Sequence, residues 1–285
     1  MSQIEWARVA LFTPGNRPER FAKGAASGAD ALILDLEDAV AAPAKAAARE
    51  SVVHYFGTDF RAALAPGQLA GLRVNNIHTA AGVKDLDMLL DSRIVPDFLV
   101  LPKVESAVEA GLYLRLLDGA QAQVPLVCTI ESARGLAAAP SIACADARVR
   151  ALAFGGADLA ADLRSTMSWE ALYGARAQVV QAAAMALIGL FDVPHLVLDD
   201  EAGLRTHSER VRDMGFSGKL AIHPRQVAPI QSCFSPSAAE LERARAQVAA
   251  LERAGGNVVE YEGQMLEGPI VRAALRTIAR DRQHA

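Results

Sequence analysis

Short apolar runs recur at 9–12, 31–36, 69–74, 98–101, 125–130, 149–154, 195–198 and 219–222, each of strand length. Many are continuously apolar rather than alternating, as expected of strands covered on both faces. Longer stretches rich in Ala, Leu and Arg separate them, including 44–56, 107–117 and 170–190. Alanine is the best helix former, so these spacers read as helices. Eight strands alternating with helices predict an α/β fold, a (β/α)8 TIM barrel with a C-terminal helical extension. An open doubly wound sheet is the rival, but no GxGxxG opens any of the helices. The barrel is expected over residues 1–225. The remainder, 226–285, is expected to cap one end or pack on a neighbouring subunit. Within it, 235–254 reads as a solvated helix stopped by Gly255-Gly256, 257–262 as a short extended piece, 263–269 as a loop and 270–282 as a final amphipathic helix.

A parallel barrel carries its chemistry on the loops that follow the strands. Those positions hold Arg17, Glu37, Asp38, Arg73, Lys103, Glu105, Glu131, Asp158, Asp199, Asp200 and His223. Each alone has a plain explanation, because strand ends face water. Their recurrence at almost every rim position points to one polar mouth. Glu131 ends LVCTI and Asp158 follows ALAFGGA. Two carboxylates on adjacent strands, with no His or Cys near, suit a hard cation such as Mg2+. The competing reading pairs Glu131 with Arg134 and makes Asp158 a helix cap.

Composition narrows the class. Lys and Arg total 29 against 33 Asp and Glu in 285 residues, a formal charge of -4, which disfavours a nucleic-acid binder. The longest apolar run, near 182–191, is too short to span a bilayer, and Glu5 and Arg8 interrupt any signal-like segment. Three scattered cysteines, Cys128, Cys144 and Cys233, give no disulfide framework or zinc knuckle. These features lead us to expect a soluble, cytoplasmic protein. Trp6 and Trp169 read as packing residues, and the histidines form no metal-like cluster.

The blocks LFTPGNRPERFAKGAASGADALILDLEDAV, RVNNIHT, LPKVESA, TIESARGL, FGGADLAADL, AIHPRQV and YEGQMLEGP, running in order from Leu11 to Pro269, together resemble the citrate lyase β-subunit-like family. That family belongs with the malyl-CoA and citramalyl-CoA lyases, Mg2+-dependent barrels. The resemblance implies Glu131 and Asp158 as metal ligands and Arg73 as the contact to the reacting carboxylate or thioester oxygen. It places Glu37 and Asp38 beside the metal, and Phe12, Arg17 and Lys23 against coenzyme A. It also implies a homo-oligomer, a trimer or hexamer, in which an Asp of a G-x-M-x-D-x-P block reaches a neighbour's site. Here that block carries Glu267 instead, one methylene longer, which puts substrate and rate in question.

The implied activity is reversible, Claisen-type cleavage of a short 3-hydroxyacyl-CoA, such as malyl-, citramalyl- or citryl-CoA, to acetyl-CoA or a homologue and a 2-oxo acid. Glu267 is the expected acid/base for the enolate carbon. Lys103 is expected to be structural or anion-binding, because no Schiff base is needed. The alternatives are a malyl-CoA-type thioester hydrolase, a β subunit working on an acyl-carrier partner, and a non-catalytic CoA-binding or scaffolding relative.

Overall fold

The computed structural model describes residues 4–117, 119–255 and 257–284. It contains eight parallel strands: β1 (Val9–Pro14), β2 (Ala31–Asp35), β3 (Leu69–Arg73), β4 (Phe98–Leu101), β5 (Leu126–Ile130), β6 (Val149–Phe154), β7 (Gly189–Asp192) and β8 (Gly218–Ala221). They pair in chain order, and β8 returns to β1 through Val9↔Lys219 to close the barrel. Closure leaves no free sheet edge. The strands are buried almost throughout, because one face fills the lumen and the other lies under the surrounding helices.

Alternation sorts the two faces. Ala10, Ala31, Ile33, Phe98, Val100, Val127, Ala151, Ala153, Phe191 and Leu220 form one cluster with Ile4 and Ala7, while Phe12 and Leu69 pack against it. Small and large residues interlock across this lumen. Gly71 on β3 leaves the space that the Phe98 ring fills, since a Cβ there would overlap the ring. The 3-10 turn Ile4–Trp6 contributes Ile4 to the same cluster, so the first described residues fill the end of the barrel where the strands begin. The strands make room for this segment: a Cβ on Gly189 would come within 2.7 Å of the Glu5 backbone.

The outer face of β7 and β8 holds an ionic cluster. Asp192 and Lys219 are fully buried and paired, and Arg176 of the helix Trp169–Ala186 donates from Nε to Asp192 Oδ1 at 3.0 Å. Burial raises the Asp192 pKa, but the two cations outweigh it and hold the carboxyl below its usual range. Breaking one partner of such a cluster is costly because a buried charge is left behind.

The seventh strand differs from expectation. The run at 195–198 is loop, with Leu196 and Val197 more than half exposed, and β7 lies at Gly189–Asp192. The helix preceding it ends at Ala186, capped by Leu187 in the left-handed region with φ 56°. The alanine-rich sequence gives no stop signal there, so helical periodicity runs on into the strand, and the apolar segment after Pro194 takes the strand's place on paper.

By its contacts the chain divides into two compact units, Met1–Gln231 and Ser232–Ala285, so the division falls after residue 231 where the sequence suggests 225. In the second unit the helix Ala238–Arg253 begins with a capping box formed by Ser237 and Glu240. Of the expected Gly255-Gly256 stop, Gly255 follows that helix with φ 63°, and Gly256 lies outside the described residues. The expected loop at 263–269 is largely structured. β9 (Val259–Tyr261) pairs antiparallel with β10 (Gln264–Leu266) across Glu262-Gly263, both with positive φ, as a two-residue hairpin turn requires. The last helix, Gly268–His284, starts two residues before the expected 270. No helix among the described residues is long and apolar enough to cross a membrane.

We expect Gly71→Ala to destabilise the fold by about 1–3 kcal/mol, because the Phe98 ring has no free space to yield. Thermal unfolding should report the loss, and adding Phe98→Leu should restore part of it.

Candidate active site

The lumen alternation that places Ile33 and Gly71 inside carries on, two residues later, to Asp35 and Arg73. These two are Cα partners in the β2–β3 register. Arg73 grips Asp35 with a bidentate fork, Nε to Oδ1 at 2.7 Å and Nη2 to Oδ2 at 2.6 Å. Its guanidinium lies 4.4 Å over the Phe12 ring and its Nη1 is 3.1 Å from Glu37 Oε2. This acidic surround keeps Arg73 protonated, with its pKa raised even against the cost of burial. Asp35 also accepts the backbone N–H groups of Glu37 at 2.9 Å and Ala39 at 3.1 Å, so it folds the β2 exit loop as well. Lys45 and Asn75 support that loop from below: Lys45 donates to the carbonyls of Leu36 and Glu37, and Asn75 Nδ2 donates to Leu36 O.

Glu131 follows β5 directly and is 5% exposed. Its Oε1 accepts the backbone N–H of Lys103 at 2.7 Å. Gly155 after β6 has no side chain because Glu131 occupies that place; a Cβ would strike its carboxylate. Desolvation, followed by the nearby charge of Glu37, pushes the Glu131 pKa up to about 8. Asp158 lies in the first turn of the helix Gly156–Asp162 and is half exposed. The cap of that helix is Gly155, so Asp158 is not the capping residue. Nor does Arg134 pair with Glu131; it sits 3.3 Å from Glu105, which also accepts from the Ser132 hydroxyl at 2.8 Å. Both competing explanations for the two carboxylates therefore fail.

The ammonium of Lys103 stands among these acids. Its Nζ is 2.7 Å from Glu37 Oε1, 3.7 Å from Asp38 Oδ2 and 3.8 Å from Asp158 Oδ2. Lys103 thus faces the protein's own carboxylates. Its own pKa is raised because these acids outweigh its desolvation. Glu37, 6% exposed, is pushed up chiefly by burial, against the pull of Arg73 and Lys103. Its Oε2, although near Arg73, has no aligned hydrogen-bond donor.

Glu37, Asp38 and Asp158 thus gather round the Lys103 ammonium, Glu131 is held by the Lys103 main chain, and Arg73 joins through Glu37 with Phe12 under it. Other rim residues are engaged elsewhere. Arg17 is exposed, 3.8 Å from Glu19, and Lys23 is exposed on the helix Phe21–Ala25. Asp200 caps the helix Glu201–Met214, Asp199 pairs with Arg225 at 3.2 Å, and His223 accepts the Arg225 backbone N–H. Glu267 is exposed in the second unit, where its carbonyl accepts the first N–H groups of the last helix. Asp35 is the member that rim counting misses, and Lys103, counted on the rim, had no role at the acids assigned to it. Asp35 was detectable from parity, because it lies two residues after the inward Ile33.

No group of three or more His, Cys, Asp or Glu among the described residues is arranged to hold a metal. The acids nevertheless fit one type of ion. The Glu37 Oε2 lacks a hydrogen-bond donor, and Glu131 and Asp158 repel one another, so the acids offer carboxylate oxygens. That set suits a hard divalent cation that keeps several waters.

The family model described as HpcH/HpaI aldolase/citrate lyase matches residues 8–224. Human mitochondrial citramalyl-CoA lyase is 33% identical over 95% of this chain and 84% of its own length. A (3S)-malyl-CoA thioesterase of Cereibacter sphaeroides is 34% identical, covering 96% and 94%. The crystal structure of the CitE protein of Mycobacterium tuberculosis in complex with magnesium, acetoacetate and coenzyme A superposes with a TM-score of 0.80 at 31% identity, over 97% of this chain and 98% of that one.

Because the folded-state pKa of Glu131 lies above the ordinary value of 4.5, its contribution to stability is present below pH 4.5 and lost as pH rises through about 8. Chelator-treated protein should therefore lose urea resistance over that interval. Glu131→Gln, which cannot ionise, should flatten the dependence.

Proposed function

The chain belongs to the HpcH/HpaI aldolase/citrate lyase family, and on that premise we propose that it is a Mg2+-dependent carbon–carbon lyase acting on a short 3-hydroxyacyl-CoA. Malyl-, citramalyl- and citryl-CoA are the candidate substrates. The observation that carries the reading is one linkage: Glu37 lies between the half-buried, always-charged Arg73 and Lys103, and Lys103 also reaches Asp158 and holds Glu131 by its main chain. The magnesium and coenzyme A bound by the Mycobacterium relative, and the activity named for the human one, support it.

Cleavage removes the proton of the 3-hydroxyl, breaks the Cα–Cβ bond and leaves its electron pair on the thioester enolate. A proton then returns to the enolate carbon. The products are a 2-oxo acid and acetyl-CoA or a homologue. Glu131 and Asp158 would hold Mg2+, which when bound supplies Lewis-acid polarisation of the nascent ketone. Arg73, fixed by Asp35 and backed by Phe12, offers a preorganised charge to the substrate carboxylate or the thioester oxygen. Such preorganisation matters because the donor need not turn when charge develops. Glu37 and Asp38 would hold water beside the bound metal. Phe12, Arg17 and Lys23, all on the segment from β1 to the first helix, would receive the coenzyme A moiety, with the two cations facing its phosphates. Glu267 of a second copy in a homo-oligomer is the proposed proton donor to the enolate carbon.

A second reading has a specific observation in its favour, the thioesterase relative. The same mouth would then deliver water to the thioester carbonyl. Product analysis of malyl-CoA turnover separates the two: glyoxylate and acetyl-CoA for lysis, malate and free coenzyme A for hydrolysis.

Glu131→Ala and Asp158→Ala should each abolish turnover with circular dichroism unchanged. Retained activity of either variant after EDTA treatment would defeat the metal assignment. Glu267→Gln should lower kcat by about two to four decades if it performs the proton transfer, and leave KM nearly unchanged. Mixing it with Asp158→Ala chains should restore activity through hybrid sites.

A further inference from the structure

Lys103 is placed where a cation would go. Its ammonium touches Glu37 and lies within 4 Å of Asp38 and of the proposed metal ligand Asp158, while its main chain holds the other proposed ligand, Glu131. The backbone there adopts φ 51°, a left-handed conformation that costs a residue with a Cβ and persists where its surroundings enforce it. The residue therefore has two separable effects on the site. The N–H fixes Glu131 Oε1 and requires no particular side chain. The ammonium puts a positive charge inside a carboxylate cluster.

We propose that Lys103 is a positioning residue whose ammonium competes with the divalent cation and so sets a ceiling on metal affinity. It neutralises part of the crowded negative charge when the metal is away, and it opposes the metal's arrival when it is near. A moderate affinity follows, and the acids can stay gathered without a permanently bound ion. The inference rests on the proposed metal pair Glu131 and Asp158.

The test is isothermal titration of the full-length, chelator-treated chain with Mg2+. Lys103→Gly removes the ammonium and keeps the Glu131 hydrogen bond, since glycine adopts positive φ freely. Lys103→Met keeps the side-chain stem, and Lys103→Arg keeps the charge. A charge at this distance shifts a carboxylate's proton affinity by about one to three decades, and a cation competing for the same oxygens responds in the same direction, so the Gly and Met variants should bind Mg2+ about tenfold more tightly. The Arg variant should stay near the wild type. Unchanged affinity in folded Gly and Met variants overturns the proposal. Weaker affinity in them also overturns it, because Lys103 would then be building the site rather than opposing the ion. If the wild type and Glu131→Ala give the same blank titration, the metal assignment itself fails and takes the proposal with it. That outcome is distinct from a wild type that binds while its Lys103 variants do not change.

Discussion

The mouth of the barrel is organised by the fork between Arg73 and Asp35 on neighbouring strands. A half-buried arginine that lost its carboxylate would either drift or bring in water. Held by two parallel hydrogen bonds, it has one orientation. Asp35 spends its remaining capacity on the N–H groups of Glu37 and Ala39, so the charge pair and the path of the exit loop are fixed by the same side chain. Glu37 is thereby delivered to Lys103, and Lys103 to Glu131. The acid cluster is thus a chain of dependencies that starts from a register position in the sheet.

That register also explains what the sequence could and could not reveal. Apolar runs marked seven of the eight strands closely, because a strand buried on both faces has little freedom in composition. The seventh was lost where Leu187 ends a helix without a glycine or proline to announce it, and where an exposed Leu196-Val197-Leu198 run mimics a strand. Counting rim charges found Glu37, Asp38, Arg73, Lys103, Glu131 and Asp158, yet gave equal weight to Glu105, Asp199 and Asp200. These are drawn off by Ser132, by Arg225 and by a helix cap. Spacing along the chain does not encode such local competition. Asp35 needed a third kind of information, the inward parity of β2, and the place of Lys103 among three acids follows from a backbone turn that spacing does not encode.

The two units contribute differently. The barrel holds every residue of the gathered cluster, whereas Glu267 belongs to the second unit, at the point where a hairpin hands over to the last helix. Its exposed carboxylate is set by the tight Glu262-Gly263 turn and by the helix that starts just after it. A longer acid than the aspartate of the resembling family changes reach without changing charge.

The seam between β1 and β8 has a cost during synthesis. Val9 waits for Lys219 before its strand acquires a second neighbour, and the turn at Ile4–Trp6 has no completed lumen to fill until β6 and β7 are made. A ribosome emitting this chain therefore exposes an open strand edge and a greasy leading segment for most of translation. Whatever guards that edge in the meantime, the last stave rather than the first is what turns a curved sheet into a vessel.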